Sequence, residues 1–148
     1  MKARRFFFYG TLIAGGGNVA TEQVHRHLQP LGPAKVPGKV YAIPDSAGWY
    51  PALLSGAGEV QGQLYQASPD FSPADLAVLD AYEDCDPSRP LESLYLRKAV
   101  TVLIDGGASG LADAYFYNLP LMPGAKRIAG GDFASWLAKR GGKAFAGR

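Results

Sequence analysis

Glu83 is the residue best placed for acid–base chemistry. The segment leading to it opens as a helix should, with Ser72 at the cap, Pro73 at the first helical position and Asp75 three residues after the cap. Leu76 and Leu79 mark the buried face of that helix. Glu83 follows Leu76 by seven residues and Leu79 by four, so the spacing sets its carboxylate on the same face, in the last turn. A helix C-terminus disfavours negative charge, and so does desolvation, so its pKa is expected above the ordinary glutamate value. Such a carboxylate suits a general base working near neutral pH. The position equally allows a frayed helix end, with Glu83 in solvent like Asp80, Asp84 and Asp86.

Tyr9-Gly10-Thr11-Leu12 ends an apolar strand in a glycine and a polar turn. Free backbone N–H groups in such a turn can hold an anion, and an ordinary strand-ending turn is the alternative. Arg97 lies two residues after Tyr95, so both face one side of a strand. An arginine there pairs with an acid, reaches solvent, or orients a carboxylate. Cys85 is the single cysteine, which excludes an internal disulfide and fits a reducing cytosol. A nucleophilic role would need a partner, and His25 and His27 read as surface residues of a short helix. No His, Cys or Asp cluster has metal-ligand spacing, so no metal site is expected. Gly15-Gly16-Gly17 lacks the Lys-Ser/Thr of a phosphate loop and the spacing of a dinucleotide fingerprint.

The elements that must position these residues are short and mostly extended. Arg4 to Tyr9 reads as a buried strand and Gly10 to Asn18 as a loop, with Asn18 capping a helix from Val19 to Leu28. Pro30, Gly32, Pro33, Pro37 and Gly38 are expected to break the next stretch. Lys39 to Ile43 and Val60 to Ala67 read as strands. The helix from Ser72 runs to Tyr82 or Glu83, and Asp84 to Pro90 form a loop. Leu94 to Ile104 is a long strand, joined through Asp105-Gly106-Gly107 to a hairpin partner from Leu111 to Asn118. Asp132 caps a last helix, Phe133 to Arg140, which Gly141 stops. The order is not a regular alternation of strand and helix, so a closed or nearly closed mixed sheet is expected rather than a doubly wound one.

Composition agrees. The chain has 19 Gly and 11 Pro in 148 residues, too many for a helical bundle, yet 47% hydrophobic residues support a core in one domain. No stretch of 18 apolar residues occurs, so no membrane span is expected. The basic start, Met1 to Arg5, resembles a leader, but Tyr9, Gly10 and Thr11 interrupt the apolar run and a first strand accounts for it better. Net charge is +2, too small to imply nucleic acid. Residues 126–148 hold six Lys or Arg against Asp132 alone, which reads as a solvated helix end or a surface for phosphates.

Taken in order, three stretches resemble the gamma-glutamylcyclotransferase-like family. They are Phe8-Tyr9-Gly10-Thr11-Leu12; then Leu79-Asp80-Ala81-Tyr82-Glu83 with Tyr95-Leu96-Arg97 leading into Val100-Thr101-Val102; then Ala114-Tyr115-Phe116-Tyr117-Asn118 followed by Gly130-Gly131-Asp132-Phe133. The likeness spans about residues 5 to 139. It implies an α+β fold, a compact mixed and largely antiparallel β-barrel with a few short flanking helices. It implies a pocket between the Tyr9–Leu12 turn and Glu83, with Glu83 as general acid/base. Gly10, Thr11 and Leu12 would bind substrate through backbone groups, Tyr95 would line the pocket, and Tyr9, Arg97 and Tyr117 count with the substrate-binding residues. Two departures stand out. Residues 84–94 separate Glu83 from Tyr95 by more than in many members, which enlarges a loop beside the pocket. Phe133 stands where a tryptophan is common, a conservative packing change.

The implied reaction cyclises the γ-glutamyl part of a small γ-glutamyl amino acid or amine to 5-oxoproline, needing neither cofactor nor metal. The expected setting is cytoplasmic, with a small-molecule partner, no nucleic acid, no membrane, and room for a homodimer. Residues 1–140 would form the single domain, and 141–148 a basic, flexible tail. Two other readings share the sequence: a non-catalytic metabolite-binding domain on the same scaffold, and a module that docks through its basic tail. Substrate choice is expected to lie in the loops Asp84 to Leu94 and Asp45 to Ser55.

Overall fold

The computed structural model describes residues 4–10, 19–46, 48–104, 107 and 109–140. Two antiparallel hairpins supply most of the pairing. The longer joins β2 (Leu28–Asp45) to β3 (Gly48–Ala67), from Leu28 opposite Ala67 to Asp45 opposite Gly48. The shorter joins β4 (Tyr95–Ile104) to β5 (Ser109–Tyr117), with Tyr95 opposite Tyr117 and Leu103 opposite Ser109. β1 (Arg5–Phe8) joins the two: it is antiparallel to β3, Phe7 opposite Leu64, and parallel to β5, Phe6 opposite Asp113. β2 meets β4 where Ala34 and Lys35 face Ile104 and Leu103. The five strands close in the order β3-β1-β5-β4-β2 and back to β3, and β6 (Lys126–Arg127) is added outside β2. This is the mixed, largely antiparallel barrel with short helices that the family resemblance implies.

β1 is buried on both faces, which is why it reads as an unbroken aromatic run. Phe6 and Phe8 pack with Tyr65, Leu79 and Tyr115 on one side. Phe7 and Tyr9 pack with Leu53, Leu64 and Phe116 on the other. Among the described residues three α-helices flank the barrel, α1 (Val19–His25), α2 (Pro73–Tyr82) and α3 (Phe133–Arg140). The cap of α2 is as expected. Asp75 N–H donates to Ser72 Oγ at 3.4 Å, and Ser72 N–H donates to Asp75 Oδ2 at 3.0 Å. Asp132 caps α3 by accepting from Ser135 N–H at 3.0 Å. Phe133 is buried and stacks on Trp136. Among the described residues no helix is long and apolar enough to cross a membrane.

Three expectations need correction. The prolines and glycines of residues 30–38 do not break the chain; β2 runs through them. Its register shifts between Pro30 and Gly32 and again between Pro37 and Lys39, so Pro30 and Pro37 lie at bulges, where a missing N–H interrupts little, while Pro33 pairs in register with Gln63. Asp45 to Ser55 is not a loop, because Gly48 to Leu54 pairs with Lys39 to Asp45 in the outer half of the hairpin. The histidines are not plain surface residues. His25 is half-buried, its ring edge-on to Phe8 and Tyr65, and His27 Nδ1 lies 2.8 Å from Asp75 Oδ2. The Asn18 cap, the Gly15–Gly17 cluster, Asp105 and Gly106 of the hairpin turn, and the tail 141–148 lie outside the described residues.

Candidate active site

Glu83 caps the C-terminus of α2, its N–H bonded to Leu79 O at 3.1 Å. Leu79 is fully buried and Glu83, four residues on, is half-buried. The chain then leaves the helix through Asp84 at φ 53°, and Cys85 N–H closes the turn on Asp80 O at 2.8 Å. This exit sets Glu83 in a narrow cleft lined also by Phe7, Phe8, Tyr9, Gly10, Pro51 and Tyr115.

Two tyrosines brace the cleft with hydroxyls committed to the protein. Tyr9 OH donates to the Tyr115 carbonyl at 2.5 Å and accepts from Leu53 N–H at 3.3 Å. Tyr115 OH donates to Asp80 Oδ1 at 2.6 Å. Burial first, and then the nearby Glu83 charge, push the Tyr9 phenol well above its ordinary pKa. Burial, then the bond to Asp80, raise that of Tyr115, with Glu83 adding to it. Both phenols therefore stay protonated, and both sense the Glu83 carboxylate. Gly10 sits where a side chain does not fit: a Cβ there would come within 2.3 Å of Pro51 Cγ. Pro51 is itself fixed, its carbonyl accepting from Tyr95 OH at 2.5 Å.

The structure thus brings Glu83, Tyr9 and Gly10 together. Tyr95 acts on the wall through Pro51, and Tyr117 packs edge-on behind it, ring centres 5.6 Å apart. Arg97 is drawn onto Asp80, Nε to Oδ1 at 2.9 Å and Nη2 to Oδ2 at 3.3 Å. Thr11 and Leu12 lie outside the described residues. Asp80 is not the solvated neighbour of Glu83 that one sequence reading supposed; it is buried. Its signal was present but divided: an arginine inside a strand needs an acid, and Asp80 adjoins the buried Leu79. Pro51, Phe7 and Phe8 gave no chemical signal at all.

Cys85 is buried, and burial raises its thiol pKa above the ordinary value, which keeps it protonated rather than nucleophilic. The loop after Glu83 does not line the cleft. Residues 84–87 instead border an open groove beside α2. The loop is tied down by Leu94 N–H to Asp84 O at 3.0 Å and by Asn118 Nδ2 to Pro90 O and Ser93 O at 2.8 and 2.9 Å. Among the described residues no group of three His, Cys, Asp or Glu is arranged to hold a metal ion.

The family model described as gamma-glutamyl cyclotransferase, AIG2-like matches residues 6–136. No curated protein matches the chain in sequence. Among solved structures the chain is similar to YkqA from Bacillus subtilis, with TM-score 0.65 and 20% identity over 95% of this chain and 43% of YkqA. It is similar to PH0828 from Pyrococcus horikoshii, with TM-score 0.60 and 18% identity over 94% of this chain and 97% of that one. An AIG2-like protein from Mus musculus aligns at TM-score 0.57 and 25% identity over 78% of each chain. The chain spans less than half the length of YkqA.

Proposed function

The chain belongs to the gamma-glutamyl cyclotransferase, AIG2-like family, and from that premise we propose that it cyclises the γ-glutamyl part of a small γ-glutamyl amino acid or amine to 5-oxoproline, with release of the amine. The observation that supports this most is the placing of the Glu83 carboxylate in a narrow cleft, against Gly10 and two phenols that stay protonated.

In this reading Glu83 takes a proton from the substrate α-ammonium. The freed amine attacks the γ-carbonyl carbon and closes a five-membered ring. Protonated Glu83 then returns the proton to the leaving nitrogen as the C–N bond breaks, and the ring nitrogen gives up its second proton through the same carboxylate to the departing amine. The lactam therefore leaves neutral, the amine leaves as an ammonium, and no water is consumed. The attack is intramolecular, so holding the chain folded supplies much of the rate. One carboxylate, cycling between its ionised and protonated forms, can serve both transfers. Backbone N–H groups of Gly10, Thr11 and Leu12 are assigned to hold the substrate carboxylate and the developing oxyanion.

Incubation with a panel of γ-glutamyl amino acids and amines, with 5-oxoproline as the readout, tests the proposal. Glu83→Gln is expected to lower the rate about 10²- to 10⁴-fold. An unchanged rate removes Glu83 from the chemistry. Binding without any release of 5-oxoproline supports the non-catalytic alternative.

A further inference from the structure

Asp80 stands one helical turn before Glu83 and is 7% exposed. Its Oδ1 accepts from Tyr115 OH at 2.6 Å and from Arg97 Nε at 2.9 Å, while Oδ2 accepts from Arg97 Nη2 at 3.3 Å. Arg97 and Tyr115 sit directly opposite each other on β4 and β5. Arg97 Nη1 also lies 3.5 Å from Asp113 Oδ2, which Arg4 holds from the segment before β1. The barrel wall thus grips one carboxylate in the last turn of α2.

That grip adds a charged anchor to the other holds on the end of α2, where Tyr82 packs against the core and Cys85 N–H bonds to Asp80 O at 2.8 Å. Leu79 is the one fully buried side chain of the helix, and Leu76 and Val78 are half-buried. The carbonyls of its last turn are closed by the residues that follow, Leu79 O by Glu83 N–H and Ala81 O by Asp84 N–H, but these local bonds do not tie the turn to the barrel wall. Asp80 and Arg97 face the outer groove rather than the cleft, so they cannot reach a substrate lying against Glu83. Tyr115 lines the cleft, but its hydroxyl proton is directed away onto Asp80.

We propose that the Asp80–Arg97–Tyr115 cluster is a positioning device for Glu83, clamping the last turn of α2 to β4 and β5 so that the carboxylate stays aimed into the cleft. This rests on Glu83 being the proton-transferring group. The cluster acts on the turnover step rather than on substrate capture, because the backbone groups assigned to capture begin at Gly10, beyond the end of β1. A displacement of about 1 Å at a reacting group costs on the order of 100-fold in rate.

The test compares Asp80→Asn, Tyr115→Phe, Arg97→Lys and Glu83→Gln, each assayed for 5-oxoproline well below its own melting temperature. Asp80→Asn keeps the size and an acceptor but loses the charge that draws Arg97 in. It is expected to lower kcat about 10- to 100-fold with KM within about twofold of wild type. Tyr115→Phe removes one anchor of three and lowers kcat about 3- to 10-fold. Arg97→Lys keeps the charge without the fork and falls between them. A merely structural cluster lowers the melting temperature and leaves kcat of the folded protein intact. If Glu83→Gln is inactive while folded Asp80→Asn and Tyr115→Phe keep wild-type kcat, the positioning role is overturned and the acid–base role stands. If Glu83→Gln turns over like wild type, the acid–base reading itself fails, and this proposal with it. Should Asp80→Asn not fold, Tyr115→Phe, a loss of one oxygen atom, decides alone.

Discussion

Gly10→Ala is the most informative single change at the cleft. An alanine Cβ at this position would lie 2.3 Å from Pro51 Cγ and 3.1 Å from Pro51 Cδ. Ordinary carbon contacts begin near about 3.5 Å, so the overlap exceeds an ångström. Neither side yields easily. The Pro51 ring is stiff and buried, its carbonyl is held by Tyr95 OH, and its strand is paired with β2 at Ala42. The strain therefore falls on the backbone at Gly10. Overpacking of this kind costs about 1–3 kcal/mol. At about 2–4 °C per kcal/mol for a chain of this size, the melting temperature should fall by roughly 2–12 °C. The effect on activity should be larger. If the Gly10 amide holds the substrate carboxylate, a shift of about 1 Å lowers kcat/KM on the order of 100-fold. Thermal unfolding and 5-oxoproline release measure the two effects separately. Pro51→Ala supplies the control, because it removes Cγ and Cδ while keeping the strand. Added to Gly10→Ala, it should restore part of both losses, with a coupling of about 1–3 kcal/mol in the double-mutant cycle. A Gly10→Ala protein as stable and active as wild type refutes the contact. Additive losses in the double variant show that Pro51 is not what Gly10 avoids.

Two further changes test the ends of α2. Asp84 occupies the left-handed region at φ 53°, where a side chain costs about 1–2 kcal/mol and glycine gives back part of that gain through chain entropy. Asp84→Gly should therefore raise the unfolding free energy by about 0.5–1 kcal/mol, seen as a higher urea midpoint at unchanged slope, and a lower midpoint contradicts the strain. At the other end, burial raises the Asp75 pKa, but the Ser72 amide and His27 outweigh it and hold the carboxyl below its ordinary value. The unfolded chain then takes up this proton first as pH falls, so the stabilisation is full above about pH 4 and lost below it. Wild type should lose stability more steeply than Asp75→Asn in that acid range, and parallel curves would contradict the assignment.

The parts of the fold legible in the sequence are those with local signatures. Ser72, Pro73 and Asp75 announce α2 because a capping box is built from residues three apart. The β4–β5 hairpin shows in its β-branched run and the glycines that end it. Glu83 is legible because helical spacing from Leu79 needs no tertiary knowledge. Asp80 is not, because its partners Arg97 and Tyr115 lie 17 and 35 residues away and no periodicity links them. The passage of β2 through Pro30, Pro33 and Pro37 is hidden for a related reason. Whether a proline breaks a strand depends on the pairing around it, and here the register shifts beside Pro30 and Pro37. The parallel neighbourhood of β1 and β5 leaves no turn between them to read, although it sets Tyr9 beside the Tyr115 carbonyl.

The bend in the long hairpin explains why the cleft exists where it does. Phe8 is the last residue of β1 paired with β3, opposite Gln63, and continuing that register by two residues would bring Gly10 level with Gln61. Pro51 is ten residues along the same strand from Gln61. In a straight strand that separation is roughly 33 Å at about 3.3 Å per residue. Yet Pro51 and Gly10 touch. The hairpin must therefore fold back over the end of β1, and the ladder shows where. Pro37 pairs with Glu59 but Lys39 with Leu54, leaving Ser55 to Gly58 as an extra stretch on β3. Gly38, Gly56 and Gly58 all take positive φ there, at 147°, 152° and 116°. At Gly38 a Cβ would meet Leu54 O at 2.7 Å, so the crossing is open only to glycine. The prolines and glycines that look like interruptions thus turn one ribbon into two sides of the site. Its inner half pairs with β1, and its outer half delivers the Pro51 wall to the residue that the proposed chemistry needs kept without a side chain.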